Sequence, residues 1–257
     1  MIIEFYKFQG TGNDFIMIDD RNNTFDIKDQ GLVSALCERR MGIGADGLIL
    51  LQKNKEFDFE MIYFNSDGKQ STMCGNGGRC IVAFAEMLGL IKDKTTFKAV
   101  DGAYQAKILD DSICLKMQDV TNVEEVGRDL VLDTGSPHYV TLLDSFDTLD
   151  IDNEGKKVRN SERFRKNGIN VNFIVNARDI EVRTYERGVE AETLSCGTGV
   201  VATAIFMHYF NYIKQNLVNI KTRGGVLDVS FEESNGLYKN IWLNGEASMV
   251  YAGEFEC

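Results

Sequence analysis

Short runs of hydrophobic and β-branched residues alternate with turn residues along most of the chain, a pattern typical of a sheet-rich protein. Three segments show helical spacing instead: Leu32–Arg39, Gly77–Leu88 and Gly197–Tyr212. The last two are apolar on most faces, so we expect these helices to be buried. Gly89 is expected to end the second helix. The predicted strands are Ile2–Lys7, Phe15–Ile18, Leu48–Gln52, Phe59–Phe64, Phe97–Val100, Ala103–Ile108, Ile113–Met117, Leu130–Leu132, Tyr139–Leu143, Asn172–Val175, Ile180–Tyr185, Leu217–Lys221, Val226–Phe231, Ile241–Leu243 and Met249–Tyr251.

Several short motifs occur twice, in the same order, about 120 residues apart. A chain with 24 glycines repeats some glycine-rich turns by chance, but five ordered matches indicate a duplication. The matched pairs are Thr11–Phe15 with Thr134–Tyr139, Gly42–Asp46 with Gly168–Asn172, Tyr63 with Tyr185, Cys74 with Cys196, and Lys98–Gly102 with Lys221–Gly225, at offsets of 123, 126, 122, 122 and 123 residues.

The duplication predicts an α+β protein of two similar lobes, each a curled sheet around one principal helix. We expect residues 1–117 and about 247–257 to form the N-terminal lobe, and residues 118–246 to form the C-terminal lobe. The join is expected near Gln118–Gly127. The second copy is complete by Asn244, so the tail Ala247–Phe255 is expected to add a strand to the first lobe.

Composition excludes several functional classes. The chain has 257 residues, of which 44% are hydrophobic, so it can bury substantial cores. Its net charge of −11 argues against sequence-independent nucleic-acid binding and against attraction to an anionic membrane. Neither a signal-peptide pattern nor a run of transmembrane length is expected. The six cysteines are scattered, which favours a reducing cytoplasm over a disulfide scaffold.

The candidate chemistry lies in two Cys-Gly-x-Gly motifs, which begin at Cys74 and Cys196 and each precede a predicted helix. A cysteine at a helix N-terminus lies near the positive end of the helix dipole, which favours the reactive thiolate. Two acid/base groups on opposite faces of one carbon can remove a proton and return it with inverted configuration. The expected active site therefore lies between the lobes. Backbone N–H groups that can hold a substrate carboxylate and stabilise developing charge there belong to Gly75, Asn76, Gly197 and Thr198.

No cofactor or metal is expected. The chain lacks a phosphate-binding loop and a Cys-x-x-Cys pair, and it contains two histidines. His208 is expected to lie on a helix surface or to pack, and the acidic run Asp144–Glu154 is expected to form a solvated loop. The thiols expected to be structural are Cys37, Cys80, Cys114 and Cys257.

Over essentially its whole length the chain resembles the diaminopimelate epimerases, whose cofactor-independent reaction converts LL- to meso-diaminopimelate. The Cys74 segment is the most specific. The segments that carry the resemblance are Gly10–Phe15, Arg40–Asp46, Asn65–Gly68, Met73–Cys80, Gly135–His138, Tyr185–Gly188 and Ser195–Gly199.

The resemblance implies two pseudo-symmetric lobes, each a barrel-like mixed sheet around a central helix, and implies a homodimer. It implies that Cys74 and Cys196 form a thiol/thiolate pair, assisted by His138 near Cys74 and Glu186 near Cys196. Gly75, Asn76, Gly197 and Thr198 would hold the reacting carboxylate. The residues that would contact the distal amino-acid end of the substrate are Asn13, Asn65, Asn170, Glu186 and Arg187. Ser136 and Gly47 depart from the pattern of many members, so no role is carried over to them.

Three alternatives stay open. A proline or hydroxyproline racemase would use the same cysteine pair, although the Asn13, Asn65 and Arg187 set favours a substrate with a second amino-acid end. An isomerase of the phenazine-biosynthesis type shares the duplicated architecture but lacks the two cysteines. The third alternative is a non-catalytic amino-acid-binding protein with two structural thiols.

Overall fold

The computed structural model describes residues 2–176 and 178–256; Met1 and Cys257, which the sequence analysis placed in the N-terminal lobe, lie outside the described residues. The chain divides into two compact units, residues 2–115 with 245–256 and residues 116–244. These boundaries lie two residues from those expected. No helix among the described residues has the length and apolar character to cross a membrane.

The N-terminal unit is a mixed sheet with two helices. Its strand order is β17, β1, β2, β3, β4, β5, β6, β7, with parallel neighbours at β2–β3 and β4–β5. The elements are β1 (Ile2–Gly10), β2 (Asn13–Asp19), α1 (Gln30–Cys37), β3 (Gly47–Gln52), β4 (Glu60–Asn65), α2 (Gly75–Met87), β5 (Lys94–Ala99), β6 (Gly102–Leu109), β7 (Ser112–Lys116) and β17 (Ser248–Glu256).

The C-terminal unit repeats this arrangement. Its strand order is β8, β9, β10, β11, β12, β14, β15, β16, with parallel neighbours at β10–β11 and β12–β14, and β13 also pairs with β12. The elements are β8 (Val123–Val126), β9 (Asp129–Asp133), β10 (Pro137–Leu143), α3 (Ile151–Arg159), β11 (Asn170–Asn176), β12 (Ile180–Glu186), β13 (Ala191–Thr193), α4 (Gly197–Tyr209), β14 (Leu217–Thr222), β15 (Gly225–Ser234) and β16 (Leu237–Gly245).

Matching strand orders confirm the duplicated α+β fold. In the C-terminal unit the strand beside β9 is β8, which comes just before it in the chain. In the N-terminal unit the corresponding neighbour of β1 is β17, which follows the whole second unit and runs antiparallel to β1 from Ile2 opposite Glu256 to Gln9 opposite Ser248.

Helices α2 and α4 are the principal helices, and both are buried as expected. Helix α2 touches β1, β2, β3, β6 and β17, while α4 touches six strands of its own unit, so each sheet curls around its helix. Gly89, with φ of +71°, follows the end of α2. On the outer side of each sheet a smaller helix, α1 or α3, covers a second apolar cluster.

Two details of the expected repeat are wrong. Tyr63 packs on Phe15 on the side of its sheet that faces α2, whereas Tyr185 lies in the cluster under α3, so the two tyrosines are not equivalent. Asp46 precedes β3, whereas Asn172 is the third residue of β11, so the match between Gly42–Asp46 and Gly168–Asn172 is out of register.

The acidic run is not a loop throughout, because α3 begins inside it. Asp150 is the N-cap of α3, and its side chain accepts a hydrogen bond from the Asn153 N–H group at 3.1 Å. Acidic residues in the first turn and basic residues in the last turn complement the helix dipole. The expected join near Gln118–Gly127 likewise contains strand β8.

Candidate active site

Both motif cysteines are N-cap residues of the central helices, which confirms their predicted placement. Cys74 has φ of −98° and ψ of 134° ahead of α2, and Cys196 has φ of −121° and ψ of 108° ahead of α4. In neither helix does the cysteine side chain cap the first turn. The positive end of a buried helix dipole therefore lies beside each thiol, where it favours negative charge.

In the N-terminal unit, the side chain of Asn13 contacts Cys74. The Cys74 Sγ donates to Asn13 Oδ1 at 3.7 Å, and Asn76 Nδ2 donates to the same oxygen at 3.4 Å. The amide group of Asn13 donates in turn to Asp46. Because an ionised carboxylate can only accept, Asp46 fixes the amide so that its carbonyl oxygen faces Cys74. This contact is one that the protonated thiol makes.

A cluster of charges holds the turn that carries Asn13. Arg39 donates to Asp14 at 2.7 and 3.0 Å and to Asp46 at 2.6 Å, and Lys7 lies 2.8 Å from Asp14. Burial raises the pKa of the Asp14 carboxyl, but hydrogen bonds from Arg39 and Lys7 outweigh it and hold that pKa well below its usual range. The carboxylate stays ionised, so the cluster persists at neutral pH.

Arg79 is a fully buried cation in α2, one turn past Cys74. Its guanidinium donates to Thr11 Oγ1 and to Asn76 Oδ1 at 2.9 Å each, and to the Gly75 carbonyl at 3.3 Å. Within residues 2–176 and 178–256 no carboxylate pairs with it, and its Nε atom has no acceptor. Burial lowers the Arg79 pKa, and nearby thiols of Cys80 and Cys74 act in the opposite direction. The guanidinium thus supplies positive potential where α2 begins.

In the C-terminal unit, Cys196 is linked to His138 through a hydroxyl group. Thr198 Oγ1 lies 3.4 Å from Cys196 Sγ and 2.9 Å from His138 Nε2, while His138 Nδ1 lies 2.9 Å from Asn172 Nδ2. His138 has no exposed surface, and burial lowers its pKa to about 3 despite the Asn172 hydrogen bond, with Arg187 lowering it further. The imidazole is therefore neutral at physiological pH. The resemblance implied that His138 assists Cys74, and the connection from His138 through Thr198 to Cys196 was not expected.

A second polar cluster forms at the ends of β10, β11 and β12. Asn170 donates to Ser136 Oγ at 2.8 Å and accepts from the Arg187 main-chain N–H at 2.9 Å. The exposed Arg187 guanidinium donates to Asn167 O at 3.1 Å and to Ser136 Oγ at 3.4 Å. Ser136, to which no role was carried over, is thus a member of the cluster.

The remaining predicted residues lie at strand ends. Glu186, the last residue of β12, accepts a hydrogen bond from Thr193 Oγ1. Asn65, the last residue of β4, is exposed and pairs with Gly47 across the strands; its main chain begins the turn to Gly68. The predicted site residues did not include Arg79, Asp46 or Asn172, although each lies in one of the sequence motifs.

Two other thiols have the properties expected of structural residues. Cys37 and Cys80 are buried, and desolvation raises the pKa of each to about 12. They therefore stay protonated at physiological pH, where a thiol is a poor nucleophile and a poor base.

The chain is similar in sequence to one family of known proteins. The family model "Diaminopimelate epimerase" matches residues 5–123 and 130–250. Diaminopimelate epimerases of Flavobacterium psychrophilum and Aquifex aeolicus are 50% and 38% identical to the chain; the alignments cover 97% and 98% of the chain and 98% and 97% of the relatives.

Solved structures at low identity share the fold. A phenazine biosynthesis protein of the PhzF family from Bacillus anthracis superimposes with a TM-score of 0.80 at 12% identity, over the full length of both chains. A hydroxyproline epimerase from Agrobacterium vitis superimposes with a TM-score of 0.70 at 12% identity, covering 98% of this chain and 92% of that one. At these identities the likeness concerns the fold alone.

We predict that Asp14 stabilises the protein in a pH-dependent way. Its folded-state pKa lies below its unfolded value, so its contribution is complete above about pH 4 and is lost as the pH falls through the folded-state pKa. Asp14→Asn should lower the urea midpoint at neutral pH and lower it less at about pH 3. The control is Asp67→Asn, which breaks an exposed pair with Lys69 and should change little. An equal loss for Asp14→Asn at both pH values would contradict the prediction.

Proposed function

Because the chain belongs to the diaminopimelate epimerase family, we propose that it converts LL-diaminopimelate to meso-diaminopimelate without a cofactor, by a two-base mechanism at Cys74 and Cys196. An epimerase is an isomerase, and family membership assigns the chain to that class of enzyme, with a small-molecule substrate. We place the reaction in the biosynthesis of lysine and of peptidoglycan precursors.

The observation that carries the proposal is the pair of N-cap cysteines in matching units. In the proposed reaction one thiolate takes the α-hydrogen as a proton and becomes a thiol. The other thiol gives its proton to the opposite face of the same carbon and becomes a thiolate. Which cysteine acts as the base depends on the configuration of the bound substrate. After one turnover the two cysteines have exchanged protonation states.

The first turns of α2 and α4 are suited to hold the carboxylate attached to the reacting carbon. Gly75, Asn76, Gly197 and Thr198 provide the first N–H groups of these helices, and such groups have no acceptor within a helix. As the proton leaves, negative charge spreads onto the carboxylate, so donors aimed at its oxygens stabilise the transition state. The Arg79 guanidinium adds positive potential at α2.

Distal recognition is proposed for Asn65, Asn170, Glu186 and Arg187. A guanidinium fork pairs with a carboxylate through two parallel hydrogen bonds, and carboxylate or amide oxygens accept from an ammonium group. Asn170 and Arg187 already lie together, and Glu186 is the residue before Arg187. Asn13 adjoins Cys74, which supports a contact closer to the reacting carbon than the resemblance implies.

A proline or hydroxyproline racemase is the second candidate, since solved structures of that kind share the fold. Such a substrate has no second amino-acid end. The exposed Arg187 guanidinium, held on Asn170 and Ser136, favours diaminopimelate instead.

We predict that the reduced protein, incubated with LL-diaminopimelate in deuterated water, incorporates solvent deuterium at the α-position as the meso form accumulates. Cys74→Ala and Cys196→Ala should each abolish epimerisation with the fold retained, because one face of the carbon loses its acid or base. The matched control is Cys37→Ala, which removes a buried thiol outside the motifs. Full epimerase activity in either motif variant would refute the two-base assignment. Exchange with proline but not with diaminopimelate would favour the racemase.

We predict that Arg187→Met raises the KM for LL-diaminopimelate by about tenfold to a hundredfold, since a hydrogen bond to a charged group contributes about 1.5–3 kcal/mol. The control is Arg223→Met, because Arg223 is also exposed but pairs with Glu192. Initial rates over a range of substrate concentrations separate KM from kcat. A normal KM in Arg187→Met would remove this residue from substrate recognition.

We also propose a cytoplasmic homodimer. The reducing cytoplasm suits an enzyme that needs two thiols. Strand β17 supports self-association, because nearly all of its side chains are exposed, and those of Met249, Val250 and Tyr251 are between 43% and 57% exposed. Exposed apolar strands of this kind commonly mark protein interfaces.

Light scattering after size-exclusion chromatography should therefore give the mass of a dimer, and Val250→Glu should give the monomer. Val226→Glu is the control, because Val226 is also exposed but lies on β15. A monomeric wild-type protein would rule the dimer out.

A further inference from the structure

The side chains that the sheet presents to the first turn of the central helix differ in polarity between the two units. Gly77 and Gly199 are each the third residue after the motif cysteine, and each lies against its sheet. Around Gly77 the neighbours are the apolar side chains of Phe15, Ile49 and Met61. Around Gly199 they are polar, namely Asn172 and Thr184, and a Cβ at Gly199 would lie 2.3 Å from Asn172 Oδ1. At this position the described C-terminal unit thus places buried polar side chains nearest the helix, where the described N-terminal unit places apolar ones.

The orientation of the Asn172 amide follows from its partners. Its nitrogen lies 3.1 Å from the Tyr139 main-chain carbonyl oxygen, which can only accept, so the NH₂ group must face that oxygen. Its oxygen accepts from the Thr184 hydroxyl at 3.0 Å. The same NH₂ group lies 2.9 Å from His138 Nδ1, and Nδ1 must therefore accept.

One proton position on His138 follows from this. A neutral imidazole that accepts at Nδ1 carries its hydrogen on Nε2. The His138 Nε2–H group then donates to Thr198 Oγ1, 2.9 Å away. Because Thr198 Oγ1 accepts this hydrogen bond, its own hydroxyl hydrogen is available to an anion. Cys196 Sγ lies 3.4 Å from Thr198 Oγ1.

We propose that Asn172 is a positioning residue for the reaction: it fixes His138 as the Nε2–H tautomer and thereby directs the Thr198 hydroxyl hydrogen towards the Cys196 thiolate. The opposite tautomer would accept the hydroxyl hydrogen and leave the thiolate without this donor. The proposal deepens the proposed function, because it assigns what holds Cys196 in its basic form.

The surroundings favour a neutral relay. His138 and Asn172 have no exposed surface, so water does not compete for their hydrogen bonds. The charged group that bears on His138 is the Arg187 guanidinium, which disfavours a second cation. Thr134 Oγ1 donates to the Thr198 carbonyl at 2.9 Å and fixes the first turn of α4.

The tautomer can be measured directly, because the chain has two histidines, His138 and His208. Nitrogen NMR of the protein labelled at its histidine rings, with His208→Gln used for assignment, should show His138 as the neutral Nε2–H form throughout the neutral pH range. An Nδ1–H tautomer, or titration near the ordinary value of about 6.5, would overturn the proposal. This measurement needs neither substrate nor activity, so its failure is distinct from failure of the proposed function.

The effect on Cys196 is tested by its rate of alkylation with iodoacetamide, followed by mass spectrometry with Cys74 as the internal reference. Asn172→Leu keeps the approximate size of the side chain and removes the amide. It should slow alkylation of Cys196 at neutral pH by about tenfold or more, the effect of losing one hydrogen bond to a charged group. Alkylation of Cys74 should not change. Thr184→Val is the control, because it removes a hydroxyl from Asn172 but leaves the NH₂ group on Tyr139 and His138.

A double-mutant cycle separates this action from a general loss of packing. In the Thr198→Val protein, which lacks the hydroxyl, Asn172→Leu should have no further effect on Cys196. In the Thr198→Ser protein, which keeps the hydroxyl, it should retain its effect. A loss of Cys196 reactivity that persists in Thr198→Val, or that affects Cys74 equally, would show that Asn172 acts only through stability.

Discussion

The close approach of each cysteine-capped helix to its sheet is the constraint on which the rest of the structure depends. At Gly199 a single added carbon would collide with Asn172, and at Gly77 it would press on Ile49. Glycine at this position lets the first turn lie directly on the strands, so the helix end is buried rather than hydrated. A buried helix end keeps more of its electrostatic effect than one in water, because water no longer screens it. The thiols at these ends therefore lie in the field of a buried helix end.

Duplication produced two such ends, and the units have since diverged in what surrounds them. In the N-terminal unit, Asn13 presents a carbonyl oxygen to Cys74, and Arg79 supplies a buried positive charge. In the C-terminal unit, the neutral imidazole of His138 is hydrogen-bonded to the Thr198 hydroxyl, which in turn contacts Cys196. The first arrangement matches a protonated thiol, and the second offers a donor to a thiolate. Equivalent positions in the fold thus have different hydrogen-bonding partners beside their thiols.

The sequence predicted the elements whose signals are local and left out those that depend on register. Glycine-rich motifs after Cys74 and Cys196 identified both central helices, because such turns and the apolar runs behind them are readable from neighbours in the chain. Helix α3 was missed because its charged residues resemble a loop, although Asp150 and the order of charges fit a helix start. The roles of His138 and Asn172 depend on which strand faces which, and a shift of one residue reverses the faces of a strand. No local pattern carries that information.

Because strand β17 lies at the end of the chain but belongs to the N-terminal unit, the two units can complete their folding at different stages of synthesis. Every strand of the C-terminal unit lies within one continuous stretch, so that unit has its full set of neighbours as soon as residue 244 is available. The N-terminal unit does not, because β1 pairs with a strand about 250 positions further along the chain. Contacts between such distant segments form late, since a long loop must close first. The half that is translated first is therefore completed last, and the thiol at Cys74 is enclosed in its finished sheet only after the unit around Cys196 can already have folded.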